Sequence, residues 1–171
     1  MVRMLILRAT KRLLDRIGGP TLCAGDQSTT LLGAWYATAL RWRPQVALMV
    51  NETTLLPVLM PLAPAATLPA RAGDQIATVL AAHEVPGPII AAEREQMRHW
   101  RIAATANRSV VGVMNDFTFL ADAWRHRSGD LLELALRLAA TPCGPLYPTH
   151  GSPDRALAAH VRAASRDTSP G

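Results

Sequence analysis

The sequence predicts an α+β domain in which a small, mostly antiparallel sheet packs against several helices. Three observations carry this. Apolar runs of strand length stand close together in the first third of the chain, with turn residues between them. A long stretch beyond residue 109 repeats its apolar residues at the helical period. A length of 171 residues with 49% hydrophobic and 18% charged side chains is the size and balance of one globular domain rather than of a disordered chain. The expected domain spans residues 1–164, with residues 165–171 a disordered tail.

Residues 4–7 form a short buried strand, and Thr10 caps a helix whose Leu13, Leu14 and Ile17 share one face. Gly18, Gly19 and Pro20 stop that helix, and residues 21–30 follow as a polar surface loop. Residues 34–42 and 46–50 make a hairpin about Arg43-Pro44-Gln45. After the Asn51-Glu52-Thr53 turn, residues 54–60 read as an edge strand, because Pro57 cannot donate a ladder hydrogen bond, with a helix as the alternative.

A Pro/Ala connection over residues 61–72 leads to helices at 74–83 and 89–97, separated by Pro86-Gly87-Pro88, and to a short strand at 101–106. Ser109 then caps the strongest helical pattern, in which Val110, Val113, Met114, Phe117, Leu120, Ala121 and Trp124 fall on one stripe. Residues 130–140 are apolar almost all round, which predicts a helix buried between layers, ended by Pro142 and Gly144. Ser152, Pro153 and Asp154 open a last helix through residue 164.

The longest apolar stretch, residues 53–70, is broken by four prolines, and the apolar run at residues 4–7 is too short for a signal-peptide core. A cytoplasmic protein without membrane attachment is expected. Cys23 and Cys143 are too few and too far apart for a secreted disulfide framework, and neither lies in a C-x-x-C pair. The net charge of +5 admits a nucleic-acid partner, because basic surfaces concentrate and steer polyanions. The plainer account is compositional: all but one of the eighteen basic residues are arginine in an Ala- and Pro-rich chain, as a G- and C-rich genome encodes.

Few polar residues fall in patterns that carry chemistry. On the helix after Ser109, the face opposite the apolar stripe holds Arg108, Gly112, Asn115, Phe119, Asp122 and His126, and Gly112 is a helix-interior glycine that suits close approach of a ligand or simple packing. Asn107-Arg108-Ser109 stands where unpaired helix amides and a guanidinium can receive an anion, or where an ordinary cap is needed. The loop Gly25-Asp26-Gln27-Ser28-Thr29-Thr30 lacks the Gly-Lys-Ser/Thr core of a phosphate loop.

Glu95 with His99 and Asp122 with His126 have metal-ligand spacing but no third ligand, so neither a metal nor a cofactor is expected. Cys23, Cys143, Ser28 and Ser152, the last in His150-Gly151-Ser152, lack a nucleophile-elbow motif. Trp35, Tyr36 and Trp42 interleave with Arg41 and Arg43, as in a surface that stacks bases and neutralises phosphate, or equally in a half-buried sheet.

Met-Leu-Ile-Leu-Arg-Ala-Thr-Lys-Arg-Leu-Leu from Met4, Thr-Leu-Cys-Ala-Gly-Asp-Gln-Ser-Thr-Thr from Thr21, Leu-Leu-Gly-Ala-Trp-Tyr from Leu31, Val-Asn-Glu-Thr-Thr-Leu-Leu from Val50 and Thr-Ala-Asn-Arg-Ser-Val-Val-Gly-Val-Met-Asn-Asp-Phe from Thr105 together resemble a family of small bacterial proteins classed as a domain of unknown function. The likeness runs from about Arg3 to Val161, and its most specific part is residues 107–117. It implies a bacterial origin and supplies no catalytic residues.

The favoured reading is therefore a non-catalytic binding or regulatory module for a protein or nucleic-acid partner, using Asn51, Glu52, Asn107, Arg108, Ser109, Asn115 and Asp116. The alternative is a small enzyme acting on a phosphate-bearing substrate, with Arg108 as anion clamp and Asp116, Asp122 or His126 as acid or base. A third is an oligomer with Trp35, Trp100 or Trp124 in its interface.

Overall fold

The computed structural model describes residues 3–168. Strands β1 (Leu5–Ala9), β2 (Trp35–Leu40), β3 (Val46–Asn51), β4 (Pro57–Pro61) and β5 (Trp100–Ala104) form one sheet in the order β4-β3-β2-β1-β5. The helices are α1 (Lys11–Ile17), α2 (Leu68–Ala82), α3 (Gly87–Gln96), α4 (Arg108–Trp124), α5 (Leu131–Ala139) and α6 (Pro153–Asp167). The architecture is α+β, and residues 57–61 are the edge strand rather than a helix. The sheet is mixed instead of mostly antiparallel: β2–β3 and β3–β4 are antiparallel, while β1 pairs in parallel with both β2 and β5.

Helices cover both faces. On one, Leu5, Leu7, Trp35, Ala37 and Met49 pack with Leu13 of α1 and with Leu68, Ile76 and Leu80 of α2. On the other, Tyr36, Leu40, Leu48 and Val50 pack with Val113, Met114 and Phe117 of α4 and with Leu134 and Leu138 of α5. This is why β3 is buried at all six positions and reads as a continuous apolar run. Helix α5 packs on edge strand β4 and reaches both cores, with Leu132 against the first and Leu134 and Leu138 in the second. That position accounts for its nearly all-round apolar sequence, although Glu133 and Arg137 stay in solvent.

Several boundaries differ from expectation. Helix α2 starts at Leu68, within the expected Pro/Ala connection, because Pro69 sits in the first turn, where no partner exists for its missing N–H. Helix α6 continues to Asp167, so residues 165–167 are helical rather than tail; residues 169–171 lie outside the described residues. Glu93, 2% exposed on α3, fastens the loop before β2 by accepting hydrogen bonds from Leu31 N (2.5 Å) and Leu32 N (3.3 Å). Among the described residues, no helix is long and apolar enough to cross a membrane.

Candidate functional site

Asn51 ends β3 as a fully buried residue. Its Nδ2 donates to the carbonyls of Leu32 (2.8 Å) and Ala34 (3.4 Å), and its Oδ1 accepts from Thr53 N, Thr54 N and the Thr54 hydroxyl at 2.9–3.1 Å. The Glu52 carboxylate accepts from Ala34 N at 2.9 Å. This corner is a brace, and the expectation that Asn51 presents polar atoms to a partner is corrected: burial and five internal hydrogen bonds leave it none to present.

At the start of α4 the N-cap is Asn107 rather than Ser109. Its Oδ1 accepts from Ser109 N (2.9 Å) and Val110 N (3.4 Å), while its own N–H donates to the Tyr36 hydroxyl (3.0 Å). The cap thus satisfies amides that an anion would use. Arg108, Ser109, Asn115 and Asp116 are exposed, and none of them lines any of the five main surface hollows. Gly112 is exposed too, with open space where a Cβ would be, so no close approach explains it.

Arg108 and His126, the anion clamp and one of the acid/base candidates of the enzymatic reading, stand far apart. Arg108 opens α4 and His126 lies just past its end, roughly 27 Å apart at the helical rise. Cys143 is buried, and burial first, then the nearby Asp116 charge, push its thiol up to about 11, which keeps it protonated and unreactive. Among the described residues no three potential ligands come together around a metal position. Trp35 is fully buried and cannot fill an interface, and the half-buried Trp124 lies under the Arg137 guanidinium, 4.9 Å from its ring centre.

What the fold does bring together is a basic groove at the end of the β2–β3 hairpin. Three segments build it: Arg12 at the start of α1, residues 41–45 of the hairpin, and the end of α4, with Thr118 and Asp122 on the helix and Arg125 and His126 just past it. Trp42 is the hub. Its indole N–H donates to Asp122 Oδ1 at 2.5 Å, and the Arg125 guanidinium covers its ring at 5.1 Å from the centre. Trp42 is only 9% exposed and Tyr36 only 2%, so of the two readings of the hairpin aromatics, base stacking or sheet packing, all three rings, Trp35 included, take the second.

Two hollows meet at Arg41, Trp42 and Arg125. The larger, about 650 Å³, is lined by the apolar Pro44, Val46, Pro61 and Leu131 and by Arg41, Arg43, Arg125 and His126. The smaller, about 230 Å³, is lined by Arg12, Arg41, Thr118, Asp122 and Arg125. Arg12, Arg41, Arg43 and Arg125 are exposed, and among the described residues none forms an ion pair; the one carboxylate lining the groove, Asp122, is already bonded to Trp42. Sequence reasoning singles out Arg41, Arg43 and His126 but misses their meeting with Arg12 and Arg125. The local signals are Arg41-Trp42-Arg43 and Arg125-His126-Arg127.

Fold and groove together define an α+β domain with a helix-covered mixed sheet and an electropositive cleft at one end of it. The chain belongs to the family described as domain of unknown function DUF6933, whose model matches residues 6–156. No curated protein and no solved structure matches it.

Proposed function

We propose that this chain is a cytoplasmic bacterial binding or regulatory module that acts without catalysis, and that its partner is nucleic acid held by its phosphates in the hairpin groove. One observation carries the reading: four exposed guanidiniums without carboxylate partners converge on a groove whose single acid is engaged by an indole N–H. Guanidinium forks match phosphate oxygens in pairs, and their charge is strengthened where a groove limits water. Arg108, Ser109, Asn115 and Asp116, on exposed surface outside the groove, take no part in this reading. The second reading, an enzyme acting on a phosphate-bearing substrate, is disfavoured by the distance between Arg108 and His126.

Fluorescence anisotropy with labelled single-stranded and duplex oligonucleotides, at about 50 mM salt where phosphate contacts are strong, tests the proposal. The expected result is binding that the combined Arg12→Glu, Arg41→Glu and Arg125→Glu substitutions weaken at least tenfold, with the far-ultraviolet circular dichroism unchanged. No binding by the native chain, or binding indifferent to the three substitutions, contradicts it.

A further inference from the structure

Resting on the nucleic-acid reading, we infer that the two hollows form a subsite for one nucleoside-phosphate unit, the phosphate between Arg12, Arg41 and Arg125 and the base against the apolar residues beside them. The division follows from what each hollow can solvate. Three guanidiniums line the smaller hollow, whose Asp122 already accepts from Trp42, whereas Pro44, Val46, Pro61 and Leu131 line only the larger; Arg41 and Arg125 line both, so a phosphate held between them leaves the apolar lining to the base. The larger hollow, at about 650 Å³, has room for a planar base against that lining.

Arg125 belongs to both. Its guanidinium lies over the Trp42 ring and its Nε donates to His126 Nε2 at 3.2 Å, while the residue as a whole is exposed and within reach of a base. Guanidinium planes stack on bases as aromatic rings do, and the Trp42 contact fixes this one in place. A sulfated polysaccharide has the charge without the flat ring, and a duplex hides its bases, so the subsite fits an unpaired nucleotide, either within a single strand or free.

The experiment compares native protein with Arg125→Lys and Leu131→Ala against four probes: a single-stranded oligonucleotide, a duplex with the same number of phosphates, heparin, and a nucleoside monophosphate. Arg125→Lys keeps the charge and loses the stacking plane, and thermal melts of both variants check the fold. The inference expects single strand to bind at least tenfold tighter than duplex, and both substitutions to weaken single strand five- to tenfold while weakening heparin less than twofold. Binding of the monophosphate as tight as that of the strand, equally sensitive to both substitutions, supports the same subsite with a free nucleotide as its ligand. Equal affinity for single strand, duplex and heparin, with neither substitution mattering, overturns the subsite and leaves the polyanion groove standing. Failure of every probe to bind at low salt overturns both.

Discussion

Asn51 shows how much of this fold hangs on single polar side chains. It donates two hydrogen bonds and accepts three in a site without solvent, tying residues 32–34 to the β3–β4 turn. Asn51→Ala leaves buried carbonyls and amides unpaired and is expected to cost about 3 kcal/mol in urea unfolding, within the range for such groups. Asn51→Asp is expected to cost more, because a carboxylate would face the Leu32 and Ala34 carbonyls without a proton to donate. Neither consequence is legible in sequence, where Asn51 is one more polar residue in a turn; the signal is its burial.

His83 carries a prediction in pH. Burial lowers its pKa below 6.5, with the Asp154 charge pulling the other way, and its Nε2 is buried without a partner among the described residues. The folded state therefore binds this proton less readily than the unfolded chain. The contribution to stability is complete above pH 6.5 and declines as pH falls below it, until the folded histidine also protonates. Glu93 acts in the opposite sense: burial raises its pKa above 4.5, against the pull of the Leu31 and Leu32 amides and the His160 charge, so its contribution is greatest below 4.5 and declines as pH rises. Urea titrations from pH 7.5 downward are expected to show a shallower loss of stability below 6.5 in His83→Gln than in the native chain; parallel curves contradict this.

At the scale of elements, α4 joins the legible and the illegible. Its stripe of Val110, Val113, Met114, Phe117 and Ala121 is buried as the helical period requires. Phe117, 1% exposed, is expected to cost about 3–5 kcal/mol on truncation to alanine, the usual range for a buried ring. Gly112→Ala is expected to stabilise by about 0.5–1 kcal/mol in the same unfolding assay, since the position is an exposed helix interior with room for a methyl group.

The helix begins two residues earlier than its sequence suggests because Asn107 and Ser109 are both good caps, and only backbone geometry chooses between them. The hairpin and the edge strand are legible because their partners are neighbours in sequence and turn residues mark the joints. The parallel pairs are not: Leu7 pairs with Trp35 and with Ile102, partners that no local pattern announces. The expected antiparallel sheet is the part of the topology that short-range signals can specify.

For the whole molecule, the function proposed depends on convergence. Arg12, the hairpin arginines and Arg125 are each visible in sequence as basic residues, and the aromatic interleaving at Trp35, Tyr36 and Trp42 points to the hairpin. Sequence does not show that the rings turn inward to build cores while the guanidiniums stay outside in one groove. That outcome fits the alternative in which the aromatics belong to the packing of the sheet, and under the proposed function it leaves charge as the main source of affinity. Charge-led binding has a quantitative signature, because each neutralised phosphate releases counterions.

The salt dependence of single-strand binding is therefore the most direct test. Contacts from Arg12, Arg41, Arg43 and Arg125 predict a slope of log affinity against log salt of about −3, reduced in magnitude by about 0.7 for each arginine replaced by alanine. A slope near zero, or one that the four substitutions leave unchanged, would contradict the assignment of the groove.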